Sequence, residues 1–207
     1  MPRPDKPPGV NYFFGVRLTN PEILSSIASF QQDYISVNEQ LSKQIEEPSK
    51  AHITINVLHL KEEEVEPCAN LIREKLSLSL TDEERTLKIK GVDKFGSRVV
   101  WAKPTEGIEF LEKLRKELNT ILLEGGFDVR EVDRKFAPHV TMFKTRFRGS
   151  RKRRKSGDLN KRQLGDDIDI YSDTLFGEDV INEFQLLSMN KPSKDGYYHS
   201  EATFALC

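Results

Sequence analysis

Apolar residues fall into two rhythms along this chain, short runs of period two and longer runs near period 3.6, and the two kinds alternate. Tyr12-Phe13-Phe14-Gly15-Val16-Arg17-Leu18 reads as a largely buried first strand. Thr19 or Asn20 can cap a helix with Pro21 in its first turn, where a missing N–H costs nothing. Ile23, Leu24, Ile27, Phe30, Tyr34 and Ile35 form the buried stripe of that helix. Residues 52–60 make a strand. Strict alternation puts His52, Thr54 and Asn56 on one face and Ile53, Ile55, Val57 and His59 on the other. A helix follows from about Glu62, with Val65, Cys68, Ala69, Ile72 and Leu76 apolar and an acidic first turn that suits the helix dipole.

Residues 87–92 and 98–103 then read as a hairpin around Asp93-Lys94-Phe95-Gly96. A third helix starts near Glu106, carries Ile108, Leu111, Leu114, Leu118, Ile121 and Leu122 as its stripe, and ends at Gly125-Gly126. Pro138 precedes a strand over 139–144, a charged and flexible loop is expected over about 144–175, and residues 183–190 and 197–206 close the chain as a hairpin. An internal repeat ties these pieces together. Moved by 87 residues, the first strand falls on 99–103, the first helix on the third, and His52 on His139 without a gap. The expected architecture is therefore α+β, a duplicated single domain over 11–207 whose two pseudo-symmetric lobes follow a linker at 1–10.

The repeat changes what a small motif means. His52-Ile53-Thr54 and His139-Val140-Thr141 share one pattern. A strand presents residues i and i+2 together, so each copy offers an imidazole and a hydroxyl on one face. One such copy is a weak signal, since a strand histidine is usually a hydrogen-bonded structural residue. Two copies at equivalent points of a repeat form a symmetric pair. An imidazole titrates near neutrality, so one ring can accept a proton while the other donates one. The threonine hydroxyls can donate to phosphate oxygens as charge shifts in the transition state. His52, Thr54, His139 and Thr141 are thus the candidate catalytic residues for breaking a phosphodiester. No metal site is expected, because the chain has no His-Glu-x-x-His, cysteine cluster or EF-hand spacing, and no cofactor is called for.

Composition narrows the setting. Cys68 and Cys207 give neither a disulfide framework nor a zinc pattern, which suits a reducing compartment, the cytoplasm or nucleus. The proline-rich start at 1–9 has no apolar core for a secretory signal and reads as a linker to something larger. No run approaches membrane-spanning length. A net charge of −1 hides one concentrated basic segment, in which Lys144, Arg146, Arg148, Arg151, Lys152, Arg153, Arg154 and Lys155 crowd together after the second motif. Its two readings are a solvated loop or localisation signal, and a set of RNA-backbone contacts through Arg151, Lys152, Arg153 and Arg154.

The paired His-x-Thr strands in a duplicated frame resemble the two-histidine (2H) phosphoesterase superfamily, which includes the bacterial RNA 2′,5′-ligases and the cyclic phosphodiesterases. The stretches Asn11-Tyr12-Phe13, His52 to Ile55, Gly91 to Phe95, Phe136 to Thr141, and the terminal Ser188-Met189-Asn190-Lys191 and Asp195-Gly196-Tyr197-Tyr198-His199 look like the central domain of the A-kinase anchoring protein 7 family. That resemblance implies a bilobal, LigT-like fold with two antiparallel sheets flanking a central cleft and helices outside. It also implies His52 and His139 as an acid/base pair, with the base unassigned, and Thr54 and Thr141 as phosphate donors. The implied function is metal-independent hydrolysis of RNA or 2′,5′-linked oligoadenylate. The alternatives are a non-catalytic sensor or scaffold that binds a nucleoside monophosphate such as AMP or CMP, and a 2′,3′-cyclic phosphodiesterase. A protein kinase A link would run through segments outside this chain, and the domain is expected to be a monomer. Phe95, Phe143 and Tyr198 are candidates to stack a base, and Arg17 either reaches a phosphate or lies at an exposed strand edge. His59 faces away from His52 in this reading, and the face of His199 is open.

Overall fold

In a computed structural model, residues 8–37, 39–78, 80–145, 164–191, 193 and 195–206 are described. Among the described residues nine strands lie in the order β7-β3-β4-β6-β2-β1-β8-β9, with β5 beside β2. They are β1 (Tyr12–Arg17), β2 (His52–His59), β3 (Thr86–Phe95), β4 (Val99–Glu106), β5 (Asp128–Arg130), β6 (Val140–Lys144), β7 (Leu175–Val180), β8 (Glu183–Ser188) and β9 (His199–Ala205). All of their pairings are antiparallel. The helices are α1 (Pro21–Ser36), α2 (Glu62–Lys75), the single turn α3 (Asp82–Arg85) and α4 (Ile108–Glu124).

The two expected sheets are present as halves of one surface. Among the described residues, the half β1, β2, β8, β9 pairs with the half β3, β4, β6, β7 through β2 and β6, where one residue pair, Ile53 and Val140, is in register. Each is the middle residue of its motif, and each is fully buried. Antiparallel pairing about that point sets His52 beside Thr141 and Thr54 beside His139, all on the face opposite the core.

The helices cross over between the halves. α1 follows β1 in sequence yet packs on the other half. Phe30 meets Phe143 of β6 and Phe176 of β7 edge to face, at 6.2 and 5.9 Å between ring centres. α4 follows β4 yet lies against β2, β5 and α2. Asn20 is the α1 cap, its Oδ1 accepting from the Glu22 N–H at 2.8 Å, with Pro21 next as expected. Gly107 opens α4 at a φ of 75°, where a Cβ would sit 2.5 Å from the Thr86 carbonyl oxygen, so only glycine fits this tight entry.

Three expectations are corrected here. First, β2 does not alternate strictly. Gly15 pairs with Thr54 but Phe14 pairs with Asn56, so Ile55 is an extra residue, a β-bulge. Beyond it the faces exchange. Asn56 turns inward, 2% exposed, and donates to Asn119 Oδ1 of α4, while Val57 turns to the cleft side. His59 follows Val57 onto the side of His52, and its Nδ1–H donates to the Gly9 carbonyl at 2.8 Å. Second, the repeat is not gapless. The motif strands are 87 residues apart, and so are their bulges, Ile55 and Met142. The strands before them slip by one, because Val16 opposite Ile53 corresponds to Ala102 opposite Val140. Third, the segment read as a flexible loop has a packed second part. Leu164 and Ile168 are buried, Tyr34 accepts from the Gly165 N–H, and residues from Leu175 form β7. The basic cluster from Arg146 to Lys155 and the linker residues 1–7 lie outside the described residues.

The Ile53 pair carries a direct expectation. Truncating a fully buried isoleucine removes apolar contacts and leaves a cavity, so Ile53→Ala is expected to destabilise by about 2–5 kcal/mol. The change is to be read as a lower urea midpoint at unchanged slope. A loss within the error of the wild-type curve would mean that the seam between the half-sheets does not depend on this contact.

Candidate functional site

The cleft face of the sheet carries the motif side chains, and each histidine is fixed in the same way. His52 Nδ1–H donates to the Lys50 carbonyl at 2.7 Å, and His139 Nδ1–H donates to the Ala137 carbonyl at 2.8 Å. A carbonyl can only accept, so Nδ1 holds the proton in both neutral rings and Nε2 is left for chemistry. The shared geometry follows from chain direction, since in each case the acceptor lies two residues before the ring.

Aromatic rings wall both imidazoles. His52 has Phe13 at 5.2 Å, Tyr198 at 5.2 Å and Tyr197 at 6.3 Å between ring centres. His139 has Phe95 at 5.0 Å and Trp101 at 5.8 Å, and Phe95 stacks on Trp101 at 4.9 Å. Gly15 leaves room for this, because a side chain there would crowd the Phe13 ring, whose nearest atom is 3.0 Å from an added Cβ. The walls have an electrostatic consequence. Burial disfavours the charged imidazolium and lowers the His52 pKa to about 4, and the hydrogen bond to Lys50 offsets only part of this. His139 is lowered too, again mainly by burial, with Lys144 and Arg134 adding repulsion. His139 also opposes the charging of His52, which places the two rings within each other's field.

A cavity of about 300 Å³ opens beside His139 and Thr54, lined also by Val57, Phe95, Arg115, Arg134 and Lys135. Three cations face one carboxylate there, and the Glu131 carboxylate is engaged by Arg134 at 2.9 Å. Arg115 bridges elements: it donates from Nη1 to the Ile55 carbonyl and from Nη2 to the Glu131 carbonyl, both at 2.8 Å. Its guanidinium also lies over Phe136 at 5.0 Å. The cavity can accept an anion against a flat aromatic surface.

The remaining sequence candidates separate clearly. Phe95 is 40% exposed and stands at the cleft, and Tyr198 stands at the opposite wall against His52 and Phe13. Phe143 is a correction: it is fully buried against Tyr34 and Phe30 on the helix side, so it cannot stack a base. Arg17 lies on the central strand β1 directly opposite His52, not at an edge. Its guanidinium sits 4.1 Å over Tyr197 and pairs with Asp195 at 2.9 Å, a carboxyl that the Ser193 hydroxyl, the Tyr197 N–H and Arg17 together hold down to about 2. The other half-sheet has a counterpart in Lys103, paired with Asp93 at 3.4 Å. His199 pairs in register with Ser188, on the side of the sheet away from His52. Arg151, Lys152, Arg153 and Arg154 lie outside the described residues. Sequence reasoning missed Arg115, Arg134, Lys135, Phe13, Trp101 and Lys103. Only Trp101 and Lys103 had a signal, as i±2 neighbours on the strand beside the second motif.

Among the described residues no cluster of three His, Cys, Asp or Glu side chains could hold a metal ion, and no helix is long and apolar enough to cross a membrane.

Comparison with known proteins gives the family and agrees with the fold. Residues 10–206 match the AKAP7 2′5′ RNA ligase-like domain family, and the chain belongs to it. A-kinase anchor protein 7 isoform gamma from Homo sapiens is 31% identical, over 95% of this chain and 57% of that protein, so the chain spans little more than half of that relative's length. E. coli LigT complexed with 3′-AMP shares the fold at a TM-score of 0.61 and 18% identity, covering 95% of this chain and 97% of its own. TT0787 of Thermus thermophilus does so at 0.65 and 18%, with the same coverage.

The lowered histidines give a titration with a definite sign. Between about pH 4 and the ordinary value of 6.5 the unfolded chain binds protons that His52 in the fold refuses. Stability is therefore expected to fall as pH drops through that window. Imidazole NMR should place the His52 midpoint near 4 and that of His139 below 6.5, and His52→Asn should flatten the acid limb of a stability curve. A His52 midpoint at or above 6.5 would contradict the buried-ring account.

Proposed function

We propose that this protein is a phosphodiesterase that cleaves RNA or 2′,5′-linked oligoadenylate through its two histidines, without a metal. The observation that carries this reading is the paired Nδ1 tether, which leaves Nε2 as the atom available for chemistry in both rings. His52, the more strongly depressed ring, is neutral and ready to act as base. It takes the proton from the attacking water or ribose hydroxyl as that oxygen bonds to phosphorus. His139, which must first take up a proton at Nε2 from solvent as the anionic substrate binds, gives that proton to the leaving oxygen as the old P–O bond breaks. Thr54 and Thr141 donate to the non-bridging oxygens, and the substrate's negative charge favours the protonated form of the His139 ring against the effect of burial. Phe95 and Tyr198 stack bases at the two ends, and Arg17 meets a flanking phosphate after giving up Asp195. LigT structures with 3′-AMP, ATP and NADP+ support the choice of a nucleotide ligand.

A second reading is favoured by one observation. The cavity beside His139 is about 300 Å³, a volume suited to one mononucleotide. In this reading the domain is a nucleotide sensor inside a larger anchoring protein, and any protein kinase A link lies in other segments. Hydrolysis of 2′,3′-cyclic phosphates needs the same four residues and differs only in the cleft walls.

The test is His52→Ala and His139→Ala assayed separately on 2′,5′- and 3′,5′-oligoadenylate and on a 2′,3′-cyclic phosphate, with chelator present. Each variant is expected to lose at least about 100-fold in kcat/KM, the scale of a general acid or base. The wild-type profile should be bell-shaped, with its optimum on the acid side of neutrality. Hydrolysis that survives both changes rules out the two-histidine mechanism. AMP binding by calorimetry with no turnover on any substrate selects the sensor.

A further inference from the structure

The four motif side chains are aimed by their backbone, and the backbone is bulged at the same place in both strands, one residue after the threonine. A bulge takes its extra residue out of the ladder and leaves that carbonyl to be satisfied elsewhere. Both carbonyls are caught by a helix side chain. In β2, Ile55 O accepts from Arg115 Nη1 of α4 at 2.8 Å, while Arg115 Nη2 holds the cleft rim through the carbonyls of Glu131 at 2.8 Å and Arg134 at 3.4 Å. In β6, Met142 O accepts from Gln31 Nε2 of α1 at 2.9 Å and from the Glu46 N–H at 2.9 Å. Gln31 is 2% exposed, and the same Nε2 also donates to the Glu46 carbonyl at 2.7 Å. The two clamps are not sequence equivalents, since an 87-residue shift carries Gln31 onto Leu118. Two unrelated side chains meet the same need, which marks the bulge carbonyl as the element that has to be held.

We propose that Arg115 and Gln31 are positioning residues, which fix the aim of Thr54 and Thr141 through the bulge carbonyls of Ile55 and Met142. The crossed helices give the arrangement a further property. Each clamp comes from the helix of the repeat that carries the other motif, so neither motif is aimed by its own repeat alone. Arg115 also borders the cavity, and its charge must be separated from its clamp. Lysine keeps the charge but cannot reach two carbonyl groups at once with a planar fork.

The inference rests on the reading of the four motif residues as the site, and the experiment keeps the two apart. The probe is AMP, titrated calorimetrically, with amide and imidazole NMR of the free protein. Arg115→Met and Gln31→Met are each expected to weaken AMP by about tenfold, the lower end of what orienting partners contribute. Arg115→Lys is expected to behave like Arg115→Met. On a Thr54→Val background Arg115→Met should cost nothing further, and on a Thr141→Val background it should cost its full factor; Gln31→Met should show the reverse. Phe204→Leu, a buried change in β9, which β1 and β8 separate from β2, serves as control and should lower Tm while leaving AMP affinity unchanged. Additive losses on both backgrounds, recovery by lysine, or an affinity loss that simply follows Tm in the control would overturn the clamp. Failure of the wild type to bind AMP would overturn the mononucleotide-sensor reading instead. The clamp is then judged by NMR: Arg115→Met must shift Thr54 and His52 resonances selectively and Gln31→Met those of Thr141 and His139, and uniform or absent shifts reject it.

Discussion

The structure depends on one contact, between Ile53 and Val140. Among the described residues these two form the one paired register between the half-sheets, and both are fully buried. Their apolar side chains are drawn to the core, and strand alternation then leaves the flanking histidines and threonines no choice but the opposite face. The hydrophobic effect thus sets the polar constellation indirectly, through the middle residue of each motif. A single pair is a narrow seam, and the crossed helices reinforce it. α1 bears on β6 and β7 through Phe30, and α4 bears on β2 and β5, so separating the halves would uncover both helix faces.

Much of this is legible in the sequence because it is written in local periodicity. Ile23, Ile27 and Phe30, or Leu111, Leu114 and Leu118, can only form one stripe, and Asn20-Pro21 is a cap whose mechanism is visible in the residues. The duplicated motif is legible for the same reason. What the pattern cannot mark is an inserted residue. Ile55 is apolar and β-branched like its neighbours, so period two runs past it unbroken, and Asn56 reads as a wet-face residue although the bulge has turned it toward Asn119. Phe143 falls to the same cause, for it follows the bulge at Met142. β7 is hidden in a charged stretch, since an edge strand with Leu175 and Val180 exposed has no alternation to display. Arg115 is hidden most completely. A cation beside a leucine stripe is ordinarily solvated, and only the fold brings three carbonyls to it.

The cleft is built twice from one plan but is not electrostatically even. Each half supplies a tethered imidazole, an aromatic wall and a cation held by an aspartate, Arg17 with Asp195 and Lys103 with Asp93. The walls differ in substance. His52 is enclosed by Phe13 and two tyrosines of the terminal hairpin, and Tyr197 is itself so buried that its hydroxyl pKa is pushed up. His139 sits nearer the open cavity, against Phe95 and Trp101. The ring in the drier wall is the poorer proton carrier. A symmetric scaffold therefore yields unlike partners, and unlike partners are what acid–base chemistry requires of two identical side chains.

The same asymmetry determines what an anion does on arrival. Both rings are held neutral in the free site by burial and by surrounding cations, Lys144 for both and Arg134 for His139. A phosphate placed between them would oppose the cations' share of this, because its negative charge favours imidazolium and screens Lys144 and Arg134. The less depressed ring, His139, needs the smaller change to gain a proton and gains it first. In the proposed mechanism, binding would then be coupled to the uptake of a proton at Nε2 of His139, with His52 neutral opposite it. The difference between the two rings comes from their aromatic walls and not from the motifs, which are alike in every residue that bears a proton.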